Sequence, residues 1–164
     1  MPLKPLILAA CLALSPASAR ATDLVLSFGP SDFVLEHAED DNVVGLEAHL
    51  PAFAEWGGIS FSVAGAADMH ETGTYWVGAG ISAVRPLGEA WFLEASLMPG
   101  YFRASRKAQD LGSGLEFRSL VGIGRRLSDR VSLSLAVSHK SNAGTSTRNP
   151  GVNLIRLRLR YTLD

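Results

Sequence analysis

The 164-residue chain has one cysteine, Cys11, and that residue lies in a stretch that reads as an export signal. Lys4 supplies a short positive start and residues 6–14 an apolar run. Ala17-Ser18-Ala19 or Ala19-Arg20-Ala21 offers a small-residue cleavage site. Cleavage after Ala19 or Ala21 is therefore expected, with residues 1–21 as signal and 22–164 as a single domain. Cys11 leaves with the signal, which excludes disulfide and thiol chemistry from the exported part. Leu8-Ala9-Ala10-Cys11 has too little apolar sequence ahead of it to read as a lipoprotein box.

Excess charge of either sign is also lacking. Fifteen Lys and Arg face sixteen Asp and Glu, for a net charge of −1, so no nucleic-acid footprint is expected. No apolar run approaches the roughly 18 residues that a membrane helix needs. Metal-ligand spacing is missing as well, because His37, His49 and His70 do not cluster in sequence. Gly78-Ala79-Gly80 loosely matches a dinucleotide fingerprint, but it sits inside a strand-like segment with no helix after it. An exported chain this apolar, without disulfides, needs either a good soluble core or a membrane around it.

What the chain does contain is strands. Candidate segments run near 23–29, 43–50, 58–67, 74–84, 90–102, 115–126, 131–141 and 153–163, many with period-two alternation. Val131, Leu133, Leu135 and Val137 alternate with Ser132, Ser134, Ala136 and Ser138. Ile155, Leu157 and Leu159 alternate with Arg156, Arg158 and Arg160. Three features favour an eight-stranded antiparallel outer-membrane β-barrel over a soluble sandwich. Long connections (29–42, 68–73, 103–114, 142–152) alternate with short ones (51–57, 85–89, 127–130). Arg156, Arg158, Arg160, Glu47, Glu94, Glu116 and Arg118 share polar faces that would be costly in a sandwich core and can pair inside a barrel. Trp56, Trp91 and Tyr161 fall at inner-side strand ends, and Tyr75 and Tyr101 at outer-side ends, as interfacial girdles would.

The segment that carries chemistry is His139-Lys140-Ser141-Asn142-Ala143-Gly144, followed by Asn149-Pro150-Gly151-Val152-Asn153. His139 and Ser141 lie two apart, so on a strand they point to one side. A serine hydroxyl needs a neighbouring base, most often histidine, to become a nucleophile, and the base needs a group on its other nitrogen to orient it. Asn153 enters the next strand on the same face. By parity all three continue the apolar rows. If those rows face lipid, polar groups there are costly and mark function by default, while a solvated strand-to-loop transition just past the hydrocarbon edge explains the same placement equally well. With periplasmic termini the loop at 142–152 lies outside the cell, so the site faces the outer leaflet. The outer loops carry acidic residues at 36–41 and the basic residues Arg103, Arg106 and Lys107. The acidic ones suit divalent ions that bridge lipid phosphates, the basic ones direct contact with such phosphates, and simple solvated surface charge explains both.

The pattern His-x-Ser-Asn-Ala-Gly, then Asn-Pro-Gly-x-Asn, then a terminal strand resembles the PagL-type lipid A 3-O-deacylases. That resemblance implies an eight-stranded outer-membrane barrel hydrolysing the 3-O-linked acyl ester of lipid A, with lipopolysaccharide as partner and no cofactor. It implies Ser141 as nucleophile, His139 as base, and Asn142 and Gly144 as the oxyanion hole. The family's acidic triad member, glutamate in its best-known form, falls on Asn153, which is a departure. Two other readings stay open from sequence: a non-catalytic barrel of structural or adhesion type, and a soluble lipid-binding barrel. Oligomeric state is open too.

Overall fold

The computed structural model describes residues 22–35, 38 and 40–163. The expected signal at 1–21, with Cys11, lies outside the described residues, as do Glu36, His37 and Glu39 of the first outer loop. The chain forms β1 (Asp23–Phe33), β2 (Asn42–His49), β3 (Ala54–Trp56), β4 (Ile59–His70), β5 (Tyr75–Leu87), β6 (Trp91–Arg103), β7 (Leu115–Arg126), β8 (Val131–Ser141) and β9 (Val152–Thr162), with one 3-10 turn at Lys107–Gln109. Every pairing is antiparallel. The sheet runs β2-β1-β9-β8-β7-β6-β5-β4, and β2 pairs back onto β4, which closes it. The three-residue β3 pairs with the inner end of β4 beyond β2, so eight long strands make the barrel. Most of them are 11 to 13 residues long, enough for a tilted strand to cross the roughly 30 Å hydrocarbon core.

Alternation places the apolar rows outside. Leu135, Ile155 and Leu157 are each more than half exposed, in line with Leu26, Phe28, Leu46 and Val137 around the wall. A continuous apolar belt of this extent would aggregate in water, and it matches the hydrocarbon of a bilayer. Trp56, Trp91, Tyr101 and Tyr161 project from the strand ends, with Tyr75 packed on Tyr101 at 6.2 Å between ring centroids. This corrects the soluble lipid-binding alternative, which requires the apolar rows to face inward around a ligand.

The interior is filled with paired charges. Arg158 bridges Glu47 at 2.6 Å and Glu94 at 3.0 Å. Arg156 holds Asp68 through two bonds of 2.8 Å, Lys140 approaches the same carboxylate at 2.8 Å, and Arg118 reaches Glu47 at 3.0 Å. His49 faces the lumen between Ser82 at 3.1 Å and Glu47 at 2.9 Å. Buried charges are tolerated when paired and hydrogen-bonded, and the arginines of β9 meet that condition. Arg118 and Lys140 are held mainly by charge proximity, and Glu116, expected among the paired charges, is buried with no hydrogen-bond partner among the described residues. Above it, towards the outer end, Phe33, Val43, Trp76, Met98, Phe102, Val152 and Leu154 form an apolar cap. The Trp76 indole lies against β5 and β6 where Gly78 and Gly100 leave room; a Cβ at Gly78 would collide with the ring. That packing accounts for Gly78 of the loose dinucleotide pattern, and a Cβ at its other glycine, Gly80, would run into the Leu97 carbonyl of β6.

β1 differs from expectation. The strand does not stop at Gly29-Pro30 but continues to Phe33, in unchanged register with β9. A Cβ at Gly29 would run into the carbonyl of Ile155 on β9, so the glycine allows close approach rather than a turn. The first outer loop shrinks accordingly to 34–41. Asp41, expected as a solvated acidic residue, instead ties the outer rim. It accepts hydrogen bonds from Ser31 Oγ, His70 Nδ1 and Thr72 Oγ1, each at 2.7 Å. Burial pushes the Asp41 carboxyl up, but the bonds from His70, Thr72 and Ser31 outweigh it and hold the group at about 2.

Candidate active site

β8 and β9 bring the motif residues together at their outer ends. Their register sets His139 directly opposite Asn153, and His139 Nδ1 lies 2.8 Å from Asn153 Oδ1. An amide oxygen accepts only, so Nδ1 carries the proton and Nε2 is the basic nitrogen. Ser141 continues the same face of β8, half-buried like His139. Among the described residues no hydrogen bond joins Ser141 to His139. Such bonds are often long before substrate arrives and tighten on binding. β7 completes the row, with Ser119 opposite His139 and Phe117 opposite Ser141.

The ring is fixed from its other side by a residue that sequence reasoning did not single out. A Cβ on Gly151 would collide with His139 Cε1 and stand 3.1 Å from Nε2. The carbonyl of Gly151 accepts a 2.9 Å bond from the Val34 N–H, which holds this backbone against the imidazole. The signal was present in Asn149-Pro150-Gly151, but a glycine that matters for the side chain it lacks shows no periodicity.

Asn142 and Gly144 shape the turn after Ser141. Asn142 is fully buried, and its Nδ2 donates to the carbonyls of Arg148 at 2.6 Å and Leu111 at 3.2 Å. Its Oδ1 accepts from the Gly144 N–H at 3.0 Å, and its own N–H donates to Asn149 Oδ1 at 3.0 Å. Ala143 (φ 54°) and Gly144 (φ 79°) follow each other in the left-handed region. An alanine there stores roughly 1–2 kcal/mol of strain, of the kind that collects at functional turns.

Beside the row lies a groove of about 580 Å³ on the outer wall, bounded by His139, Asn153, Ser119 and Asp32 at one end and by Val121, Val137 and Ile155 along its length. The volume falls within the range of small-ligand sites. Its polar end and apolar floor suit a molecule with a polar ester and a hydrocarbon tail. Arg103, Arg106 and Lys107 lie around a separate outer depression lined also by Asp110.

A family model described as lipid A 3-O-deacylase (PagL) matches residues 44–162. The lipid A deacylase PagL of Bordetella bronchiseptica is 32% identical over 75 residues, which is 45% of this chain and 42% of that relative, so the match spans less than half of the relative's length. Among solved structures, the outer-membrane enzyme PagL superimposes with a TM-score of 0.65 at 19% identity, covering 86% of this chain and 99% of the other. Neisserial surface protein A follows at 0.57 and 10% identity, covering 87% and 97%; at these identities both show the fold alone. The family match spans most of the barrel, including the strands that carry His139, Ser141 and Asn153, and the chain belongs to the lipid A 3-O-deacylase (PagL) family.

Proposed function

We propose that this protein is an outer-membrane esterase that removes the 3-O-linked hydroxyacyl chain of lipid A, with Ser141 as nucleophile. The observation that carries the proposal is the His139–Asn153 hydrogen bond of 2.8 Å at the polar end of an apolar, lipid-facing groove. Ser141 Oγ attacks the ester carbonyl as His139 Nε2 takes its proton, and Asn153 holds the ring and its tautomer. His139 then returns the proton to the departing sugar alcohol, leaving an acyl-serine. Water, activated by the same histidine, releases the hydroxy acid. The acyl chain lies along Val121, Val137 and Ile155, and the sugar stays at the aqueous rim.

The turn of Ala143 and Gly144 is the place for oxyanion stabilisation. The Gly144 N–H serves it by exchanging its Asn142 Oδ1 acceptor for the developing oxyanion, and one such donor is worth roughly 3 kcal/mol. Asn142 acts there by holding the turn. A site open sideways to the bilayer fits a substrate that never leaves the outer leaflet, and lipopolysaccharide is accordingly the proposed partner.

Purified barrel mixed with lipopolysaccharide in detergent tests the assignment by mass spectrometry of the released acid. Release of a single 3-hydroxy fatty acid is expected, together with its loss in Ser141→Ala and labelling of Ser141 by a fluorophosphonate. A folded protein that releases nothing and takes no label would instead be a non-catalytic barrel.

A further inference from the structure

We propose that Asp32 supplies, through Asn153, the negative charge that a Ser–His–Asn row lacks, and so acts as a positioning residue for His139. The inference rests on the reading of Ser141 and His139 given above. It starts from register: Asp32 on β1 stands directly opposite Asn153 on β9, and Asn153 stands opposite His139 on β8. The three side chains form one cross-strand row on the outer wall and border the same groove.

The chemistry of the central amide gives the row a direction. Asn153 turns its Oδ1 to His139, which leaves its NH2 group available to donate; among the described residues no hydrogen bond yet joins it to Asp32, its neighbour across β1. Directly opposed side chains have Cβ atoms about 4.5–5.5 Å apart, which is within reach of an amide-to-carboxylate hydrogen bond. A carboxylate there accepts from the amide and polarises it, which strengthens the carbonyl as an acceptor for Nδ1–H. The proton of Ser141 goes only to Nε2; Asp32 takes no part in the transfer.

Nothing else around the ring does this. Among the described residues, the charged groups on the groove are Asp32 and Asp40, and Asp40 Oδ1 accepts the Phe33 N–H at 3.3 Å on the loop beyond β1. β7 presents Ser119 and β9 presents Asn153. Arg118 and Lys140 occupy the opposite, inward faces of β7 and β8, paired with Glu47 and Asp68. Asp32 is exposed on a wall that otherwise carries Leu24, Leu26 and Phe28, and an ionisable group beside hydrocarbon is costly enough to imply a role. It also lies outside the segment that the family model covers.

The test is a pair of backgrounds. Asp32→Asn is expected to lower kcat about tenfold, the size for a unit charge at about 10 Å and an effective dielectric of about 20, with KM for lipopolysaccharide nearly unchanged. Fluorophosphonate labelling of Ser141 slows in proportion, and Asp32→Glu restores most of both. In an Asn153→Glu background, where the row already holds a carboxylate, Asp32→Asn changes kcat by less than about twofold. Unchanged kcat in Asp32→Asn, a change confined to KM, or the same loss in both backgrounds overturns the proposal. Heat-modifiable migration verifies that each variant is folded. Ser141→Ala is run alongside: activity persisting there removes the underlying reading, whereas activity abolished there but intact in Asp32→Asn removes only the role of Asp32.

Discussion

The His139 imidazole is held on two sides, by the Asn153 amide at 2.8 Å and by the bare backbone of Gly151. Gly151→Ala puts a methyl where the His139 ring lies and displaces the imidazole. We expect kcat to fall by about 10²-fold, the scale of a misplacement near 1 Å, with the barrel still folded by heat-modifiable migration; near-normal kcat would show that the ring position is not critical. Period-two parity made His139, Ser141 and Asn153 legible in the sequence as one outward set, since each continues an apolar row. The same parity places Asn142 inside, where its side chain binds the Leu111 and Arg148 carbonyls. The motif alone pointed to an oxyanion role, and only the packing shows the amide holding the turn. Gly151 was not legible, because the clash that an added Cβ would meet depends on a fold that sequence does not display.

At the scale of elements, β9 organises the lumen. Its alternate arginines meet carboxylates from β1, β2, β4 and β6, and Arg158 alone joins Glu47 to Glu94. Arg158→Ala removes the guanidinium shared by two buried carboxylates, leaving Glu47 to Arg118 and His49 and Glu94 to Arg160 and Ser134. Losing these charged hydrogen bonds should destabilise the barrel by about 1.5–3 kcal/mol, read as a lower urea midpoint for unfolding from detergent or vesicles. The polar face of β9 was visible as Arg156, Arg158 and Arg160, but Asp68 and Lys140 were not recognised as their network partners, since cross-barrel contacts depend on closure. β1 shows the opposite failure. The outer loop was expected from residue 29, yet the glycine there admits the Ile155 carbonyl and the strand runs on, carrying Ser31 and Asp32 onto the sheet. Ser31 then joins His70 and Thr72 in holding Asp41. That carboxyl is depressed from its ordinary 3.8 to about 2, so its contribution is complete above about pH 4 and is lost as pH falls towards 2. Protection of the outer strand ends, taken relative to the intrinsic exchange rate at each pH, should therefore fall over that window in the parent protein. Asp41→Asn should exchange quickly at neutral pH already; equal protection in the variant would contradict the rim assignment.

For the molecule as a whole, the bilayer is the solvent that the apolar belt requires, and the site is built into the belt rather than into the lumen. A charge on that belt should be costly in proportion to depth. Leu157→Arg, on the outward row of β9, should destabilise folding into vesicles by about 2–4 kcal/mol, whereas a soluble barrel would tolerate it at an exposed position. Eight strands, inward charges and outward apolar rows were all legible, because in a closed barrel the alternation along each strand is the fold. Strand ends and the short β3 were not, because rims depend on loop packing rather than on period. Deacylation of lipid A by Ser141 is the activity proposed for the whole barrel. Mass spectrometry of lipid A from cells expressing the protein should show loss of one 3-O-linked hydroxyacyl chain, and intact lipid A in cells expressing Ser141→Ala. Lipid A that stays fully acylated with the folded parent protein in the outer membrane, or deacylation that persists in Ser141→Ala, would contradict it.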